Sequence, residues 1–331
     1  MQQEAIYINA YSTISAQDSF YGYWEEIVPA TNAFLDAQEP RYKEFLPRKQ
    51  LRRMSRIVRM GLATAIQALE QGGQPRIDAI VSGTAWGCVQ DTQKFLEALI
   101  VNQEQYLTPT AFVQSTHNTV AGQIALLQGN NGYNMTYVQG KVSFELALID
   151  ALTLLEQSPA QTILVNGLDE LTSHLKIMLE RLRCAQPTQP MGEGASCFIL
   201  SKKVAKKSLA RLVGSSSAYL PKEQTSTTTW DMLLKQANCA PSAIDLLLCG
   251  QALSQEASSI FKQAKHCSYV PLCGNYPTNS AFAMSIGVAL LQGNTRIQQA
   301  LGLDSSIPKQ LAIYNQEGPH QGLIVLEQIA K

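Results

Sequence analysis

One corner of the chain has the geometry at which enzymes place a nucleophile. The stretch NGYNMTYVQGKVSFELALIDA, residues 131–151, predicts a strand, a tight turn at Gln139-Gly140 and then a buried helix. A side chain at such a corner points into the protein beside the helix N-terminus, where the helix dipole stabilises an anion such as a thiolate. The residue at this corner is Lys141, a cation at the unfavourable end of the dipole. It cannot supply a helix-activated thiolate.

Lys141 leaves two chemical interpretations open. Burial at a helix N-terminus lowers the pKa of an amine, which would allow Lys141 to form a Schiff base. Alternatively, Lys141 pairs with a carboxylate, for example Glu145 one turn along the helix, or with a group on a partner protein. Both the reactive and the structural lysine are retained at this point.

The cysteine and histidine residues form no metal or redox motif. The seven Cys are scattered without a C-x-x-C pair, and their spacing with the four His matches no zinc site. The chain has no P-loop and no G-x-G-x-x-G fingerprint, so we expect neither a metal nor a nucleotide cofactor. Scattered thiols fit a reducing compartment, and the first residues lack a basic segment followed by an apolar one. A cytoplasmic protein without a signal peptide is therefore expected.

The charge balance argues against nucleic acid and membranes as partners. The 331 residues include 26 basic and 26 acidic side chains, so the chain has no global basic field of the kind that binds nucleic acid. No apolar run reaches the roughly 18–20 residues that span a bilayer. Charged residues make up only 16% of the chain, compared with about 25% in an average soluble domain. Part of the surface is therefore expected to be covered by another subunit.

Basic residues nevertheless cluster in one segment, residues 41–59. The cluster consists of Arg41, Lys43, Arg48, Lys49, Arg52, Arg53, Arg56 and Arg59. One interpretation is a solvated helix face. The other is a docking surface for an acidic partner. Nucleic acid is disfavoured because no aromatic residues alternate with the basic ones in a known recognition motif.

The elements that must position these residues follow an alternating pattern. Short apolar runs alternate with helical patterns, which predicts an α/β fold. The helix at 143–157 is apolar on most of its circumference, as expected in the middle of a domain. Predicted strands include 5–10, 162–166, 195–200, 243–249 and 267–273. The charged segment Lys202–Lys207 separates two similar βα successions, which gives the predicted units 1–205 and 206–331.

Four motifs resemble those of the β-ketoacyl synthases, the condensing enzymes of the thiolase superfamily. SGTAWGC at 82–88 is similar to the family's G-T-G-x-G stretch, and TPTAFVQSTHNTVAGQIA at 108–125 to its interface loop ending in N-x-x-A-G. Gly132-Tyr133-Asn134 stands where the family has G-P-N, and MGEGAS at 191–196 resembles its M-G-E-G-A turn. The resemblance implies a thiolase-like α/β fold. Two similar βα halves would form a five-layered α-β-α-β-α core, with the second half shortened.

The same resemblance implies that the family's Cys-His-His triad has been replaced. Lys141 stands at the position of the catalytic Cys, Cys249 at that of the first His, and Asn275 at that of the second. In the family the thiolate carries the acyl chain, and the two imidazoles bind the thioester oxygen while a malonyl group decarboxylates. An oxyanion donor of this kind is commonly worth roughly 10²–10³ in rate. No catalytic residue is therefore expected in this chain.

A member without a triad resembles the chain length factors, the inactive ketosynthase homologues of type II polyketide, aryl polyene and flexirubin systems. Such a subunit forms a heterodimer with an active ketosynthase and shapes the acyl tunnel that crosses the dimer interface. Its second partner is an acyl carrier protein with a phosphopantetheine-bound chain, which would dock on the basic cluster at Arg48, Lys49, Arg52, Arg53 and Arg56. The implied tunnel and interface residues are Phe112, Thr116, His117, Tyr137 and Gln139.

Two further expectations concern the tunnel and the dimer. If residues 108–125 are helical, Phe112 and Thr116 lie one turn apart on one tunnel wall, with Phe112 either closing the tunnel or packing in the dimer core. Family dimers pair through the strand before the corner, here Met135–Gln139. The alternatives are a divergent acyltransferase, a malonyl decarboxylase, or a lone protein that docks acyl carriers. Decarboxylation in the family uses a Gln in place of the Cys, and Gln139 lies two residues before that position.

Overall fold

The computed structural model describes residues 5–73, 76–205, 207–219 and 227–329. The strands are β1 (Ile6–Ile14), β2 (Phe34–Leu35), β3 (Ala79–Gly83), β4 (Tyr133–Tyr137), β5 (Thr162–Asp169), β6 (Met191–Gly192), β7 (Gly194–Ser201), β8 (Ala210–Tyr219), β9 (Leu246–Cys249), β10 (Lys265–Ser268), β11 (Gln310–Glu317) and β12 (His320–Glu327). The helices are α1 (Arg48–Leu51), α2 (Arg56–Gly72), α3 (Val89–Val101), α4 (Pro109–Gln114), α5 (Thr119–Gln128), α6 (Ser143–Gln157), α7 (Ser173–Arg181), α8 (Thr227–Gln236), α9 (Gln255–Ile260), α10 (Val270–Cys273), α11 (Asn279–Leu291) and α12 (Thr295–Ala300). Short 3₁₀ turns lie at Tyr42–Glu44, Gly140–Val142 and Pro241–Ala243.

Two half-sheets of the same topology make up the main sheet. In the described residues its strand order is β10-β9-β11-β12-β8-β1-β7-β5-β3-β4. From the centre outward, β1-β7-β5 and β8-β12-β11 are antiparallel, whereas β5-β3-β4 and β11-β9-β10 are parallel. A short antiparallel pairing of β1 with β8 joins the two half-sheets. The predicted two similar βα halves are therefore confirmed, although the sequence contains no detectable repeat.

Helices alternate with the half-sheets in layers. α6 and α11 contact strands of both half-sheets, α2 packs on β1 and β7 from one side, and α8 packs on β8 from the other. All residues of α11 are buried, because this largely apolar helix lies between the two half-sheets. The order is therefore helix, sheet, helix, sheet, helix, which confirms the predicted five-layered thiolase-like core.

Local sequence signals explain where several helices begin. The side chains of Thr172, Ser254 and Asn294 accept a backbone N–H in the first turn of α7, α9 and α12, as N-cap residues do. The predicted strand at 267–273 is wrong in its second part. There the chain turns into α10, and Pro271 in the first helical turn lacks the N–H that a strand ladder needs.

The boundary predicted between residues 205 and 206 stays a prediction, because residue 206 lies outside the described residues. No helix among the described residues is long and apolar enough to cross a membrane.

Candidate functional site

A cleft of about 910 Å³ brings together the three positions that the sequence pointed to. Lys141, Cys249 and Asn275 all line it, although they come from the 3₁₀ turn before α6, the end of β9 and the loop after α10. The sequence prediction that these residues share one site is consistent with this arrangement.

The corner that carries Lys141 is closed by its own hydrogen bonds. β4 ends at Tyr137, and Gly140 has a φ of 52°, a left-handed conformation that glycine adopts without strain. The Ser143 hydroxyl donates to the Gly140 carbonyl at 2.7 Å and accepts from the Gln139 N–H at 2.8 Å. The strand, the turn and the helix therefore hold Lys141 in a fixed place.

Lys141 is buried without a direct partner for its amine. The residue is 5% exposed. Its backbone N–H donates to Glu317 Oε2 at 3.2 Å, and its backbone carbonyl accepts from Asn315 Nδ2 at 2.7 Å. These contacts use the backbone, and within the described residues no hydrogen bond or ion pair involves Nζ. Burial lowers the pKa of Lys141, and the charges of Glu317 and Glu145 oppose this shift.

Glu145 does not line the cleft and forms no ion pair with Lys141, which was one of the alternatives left open for this lysine. Its side chain is fully buried, and Oε1 accepts from Asn315 Nδ2 at 3.3 Å while Oε2 has no hydrogen-bond partner. Burial raises its pKa to about 7, against the effect of its hydrogen bonds and of the Lys141 charge. A carboxyl group with this pKa changes between its protonated and its charged form near neutral pH.

The other two positions carry no group that could replace an imidazole. Cys249 is buried, and burial raises the pKa of its thiol to about 12, so the thiol stays protonated. Asn275 has an Oδ1 atom that is buried without a hydrogen-bond partner. The cleft therefore offers an amine, a thiol and an amide where the resemblance places a thiolate and two imidazoles.

Sequence analysis missed three further residues of the cleft, Gln251, His266 and Glu317. Gln251 Oε1 accepts from the Gln316 N–H at 3.1 Å, whereas its Nε2 is buried without a partner. The His266 ring contacts the Phe261 carbonyl oxygen at 2.9 Å and is otherwise exposed. β9 and β11 are parallel neighbours, so the residues that follow their carboxyl ends meet. This pairing is the signal that could have found Gln251 and Glu317.

None of the predicted tunnel and interface residues lines this cleft. Phe112 on α4 is 57% exposed and packs against Phe95 at a ring-centroid distance of 5.5 Å. The condition for a shared face of Phe112 and Thr116 is not met, because α4 ends at Gln114, between the two residues. The hydroxyl of Thr116 donates back to the Val113 carbonyl at 3.1 Å, and such bonds compete with helix continuation.

The remaining members of this predicted set lie near β4 or beside α5. Tyr137 ends β4 and is half-buried, Gln139 is exposed, and His117 is exposed before α5. The His117 ring lies against Gly87, where an added Cβ would come within 2.6 Å of the ring. The His117 ring therefore packs on the segment between β3 and α3.

An apolar surface consists of exposed side chains on the outer strand β4, on the three helices that precede it and in their loops. β4 is an edge strand of the sheet. About half of the large apolar side chains that are exposed in the described residues belong to α3–α5, β4 and their loops: Leu96, Ile100, Val101, Tyr106, Phe112, Val113, Leu126, Leu127, Tyr133, Met135 and Val138. An unpaired edge flanked by apolar side chains is a ready site for another chain.

The basic cluster divides into a free part and a paired part. Arg48, Lys49, Arg52 and Arg53 are exposed on α1 and in the turn after it. Arg56 differs from the rest of the predicted docking set, because its guanidinium forms a bidentate ion pair with the fully buried Glu193 and a second pair with Glu39. A buried carboxylate needs such a partner, so this arginine supports the fold.

Comparisons with known proteins agree with this fold. A model of the β-ketoacyl synthase N-terminal domain matches residues 24–242. No curated protein matches the sequence.

Solved structures resemble the chain over nearly its whole length. The ishigamide ketosynthase/chain length factor is 17% identical with a TM-score of 0.77, covering 98% of this chain and 100% of that one. A ketosynthase (ApeO) in complex with its chain length factor (ApeC) from Xenorhabdus doucetiae is 16% identical with a TM-score of 0.74, and the match covers 99% of both chains. A type II PKS acyl-carrier protein in complex with its ketosynthase (AntDE:AntF) is 13% identical with a TM-score of 0.76. The match covers 99% of this chain and 100% of that one. At these identities the similarity establishes the shared fold.

Proposed function

The chain belongs to the β-ketoacyl synthase family, and on this premise we propose that it is a non-catalytic member, a chain length factor. It pairs with an active ketosynthase and shapes the acyl tunnel during polyketide or aryl polyene elongation. The observation that carries the proposal is the content of the cleft. Lys141, Cys249 and Asn275 line it together at the positions that the resemblance assigns to the triad.

The chemistry of these three side chains supports the loss of condensing activity. Condensation needs a thiolate to accept the acyl group, and the Cys249 thiol has a pKa of about 12 because it is buried. Two donors must also stabilise the developing enolate oxygen. No imidazole stands at either donor position, and the His266 ring already contacts a backbone carbonyl. The rival functions, an acyltransferase or a malonyl decarboxylase, would need groups other than the family's own.

Incubation of the isolated chain with an acyl-CoA and with malonyl-CoA tests this part. We expect no acyl-enzyme by intact mass and no release of carbon dioxide, with an active ketosynthase as the positive control. An acyl adduct, or carbon dioxide formed above the background without enzyme, would replace the proposal with one of the rival enzymes.

The apolar surface around β4 supports the pairing with a ketosynthase. The ApeO structure holds a ketosynthase with its chain length factor. Among the described residues no strand pairs with the outer edge of β4, and Met135 on this strand is 41% exposed. A partner of the same fold would extend the sheet and cover these side chains. The chain expressed alone is then expected to be a homodimer or poorly soluble.

Co-expression with a ketosynthase, followed by size-exclusion chromatography, tests the pairing. Met135→Glu should prevent the heterodimer, because it places a charge on the apolar edge. Met232→Glu is the matched control, since Met232 is 49% exposed on α8, far along the chain from β4. A wild-type chain that stays a well-behaved monomer beside the ketosynthase would contradict the proposal, as would equal effects of the two variants.

The free part of the basic cluster supports docking of an acyl carrier protein. Arg52 and Arg53 are exposed, and neither side chain forms an ion pair with a described residue. Arg52→Glu with Arg53→Glu should weaken binding of the carrier to the heterodimer and reduce its salt dependence. Lys262→Glu with Lys309→Glu, two exposed lysines of the second half, is the control. If both double variants bound the carrier equally well, the cluster would be a solvated surface without a docking role.

Phe112 is the proposed stop at the end of the acyl tunnel. Its ring is exposed on the apolar surface and rests on Phe95, so a partner subunit would bury it. Phe112→Ala in the reconstituted complex should lengthen the product by one or more extension units. Unchanged products from an intact and active heterodimer would leave Phe112 with a packing role alone.

A further inference from the structure

A second cavity, a groove of about 900 Å³, collects half of the basic cluster and one lysine of α3. Among the residues that the structure describes, its cationic side chains are Arg52, Arg53, Arg56, Arg59 and Lys94. Arg56 is taken by Glu193 and Glu39. The other four, called the groove cations below, form no ion pair with a described residue. Since Glu39 is engaged by Arg56, the carboxylate left on the groove wall to face them is Asp91.

Hydrogen bonds between the segments fix the walls of this groove. Arg59 Nε donates to the Met54 carbonyl at 3.0 Å, which holds its guanidinium beside the turn that precedes α2. Gln114 Nε2 on α4 donates to the Arg53 carbonyl at 3.1 Å. The turn, the start of α2, α3 and α4 therefore form a defined cavity, and the groove cations converge on it from three of these segments.

The N-terminus of α2 adds positive potential on the same wall. Ser55, its N-cap residue, lines the groove and is 7% exposed, yet its hydroxyl has no partner among the described residues and does not cap the helix. Within the same part of the chain, no hydrogen bond takes the backbone N–H groups of residues 56–58. A long helix carries roughly half a positive charge at such an end. Unpaired first-turn N–H groups beside basic side chains are a frequent site for phosphate.

The balance of charge in the groove favours a dianion over a carboxylate. A carboxylate brings one negative charge, whereas a phosphate monoester brings roughly 1.5–2 at pH 7 and accepts bidentate hydrogen bonds from a guanidinium. The groove also continues into an adjoining cavity of about 440 Å³, which shares Arg53 and Ser55 with it and extends to Val58, Leu62 and Leu127. This second compartment has room for the organic part of an ester and offers it apolar side chains.

We propose that this groove binds a phosphate monoester. Its phosphate lies among the groove cations at the N-terminus of α2, and its organic part enters the adjoining cavity. The site goes beyond the proposed function, although Arg52 and Arg53 also belong to the proposed carrier surface. It is measured on the isolated chain, with neither a carrier nor a ketosynthase present. Failure of ester binding therefore leaves carrier docking and pairing untouched, and failure of either leaves the site untouched.

Phenyl phosphate is the probe, with phenyl sulfate and inorganic phosphate as comparison ligands in isothermal titration calorimetry. At pH 8 the phosphate monoester is a dianion, because its second pKa is roughly 6, whereas phenyl sulfate of similar size stays a monoanion. We expect saturable binding of phenyl phosphate at one site per chain. It should bind at least about fivefold more tightly than phenyl sulfate, the value of one further unit charge about 4 Å from a cation in water. It should also bind more tightly than inorganic phosphate, which cannot fill the adjoining cavity.

A pair of lysine variants separates the groove from the general basic charge of the segment. Lys94→Gln removes one groove cation and should weaken phenyl phosphate binding about fivefold. Lys43→Gln is the matched control, since Lys43 is an exposed lysine of the basic cluster that does not line the groove. Equal effects of the two variants would overturn the proposal. So would absent saturation, or equal affinity for phenyl phosphate and phenyl sulfate, in the wild-type chain, and these two readouts need no variant to fold.

Discussion

Replacing Arg56 by methionine should lower the free energy of unfolding by about 3–5 kcal/mol, the cost of breaking a buried ion pair from one side. The change removes the guanidinium and keeps most of the side-chain volume. Glu193 is fully buried and accepts from the Ala37 and Leu171 N–H groups at 2.9 and 2.8 Å as well as from Arg56 Nη1 and Nη2. Without Arg56, the carboxylate keeps only the two backbone donors.

The size of the effect follows from these contacts. Hydrogen bonds to charged groups contribute about 1.5–3 kcal/mol each, so two lost bonds agree with the range for a broken buried pair. The second pair, with Glu39, adds little, because both side chains are partly exposed at 26% and 28%. Glu193 also connects α2, through Arg56, with the chain near residue 37 and with the loop after β5. An unpaired charge at Glu193 would therefore destabilise three segments.

Urea unfolding at pH 7 measures the change, with Arg52→Met as the matched control. Arg52 is an exposed arginine four residues earlier, and its replacement should change stability by less than about 0.5 kcal/mol. Adding Glu193→Gln to Arg56→Met should restore part of the loss, because it removes the unpaired charge. A loss below 1 kcal/mol, or no restoration in the double variant, would refute the assignment of Arg56 to a buried pair.

Three further outcomes follow from burial. Burial raises the pKa of Glu145 and Glu170 to about 7. The folded chain therefore binds protons more tightly than the unfolded chain between about pH 4 and 7, and urea unfolding should show the free energy of unfolding falling as pH rises through this window. A rise would contradict this prediction. Iodoacetamide should alkylate Cys184 first, because it is exposed whereas burial raises the pKa of the other six thiols; equal rates by mass spectrometry would count against this. Gly83→Ala should destabilise by about 1–3 kcal/mol in thermal unfolding, since its Cβ would lie 2.6 Å from the Ser143 carbonyl oxygen, whereas Gly122→Ala meets no atom within 4 Å and serves as the control.

Local signals explain what the sequence could predict. The corner at Lys141 was predictable because a strand, a glycine turn and a buried helix follow one another within twenty residues, and each is specified by its neighbours. The resemblance then placed Cys249 and Asn275, and these residues line the same cleft as Lys141. The two matching half-sheets follow from the same alternation of strands and helices.

Contacts between distant segments explain what it could not predict. Arg56 looks like one more member of a basic surface, yet its partner Glu193 is 137 residues away in sequence. Gln251 and Glu317 join the cleft only because β9 and β11 pair in parallel. A single helix through Phe112 and Thr116 does not form, because the Ser115 and Thr116 hydroxyls donate back to the Phe112 and Val113 carbonyls beside the end of α4.

The polar content of the cleft sets a condition on the proposed function. A subunit that only filled its half of a dimer would gain stability from an apolar cleft, since unmade hydrogen bonds such as those of Gln251 Nε2 and Asn275 Oδ1 each cost about 1–3 kcal/mol. The buried amine of Lys141 adds a further desolvation cost. Under the proposed function, an amine, a thiol and an amide replace the thiolate and the imidazoles of condensation, and these polar groups make the cleft less stable than an apolar one would be.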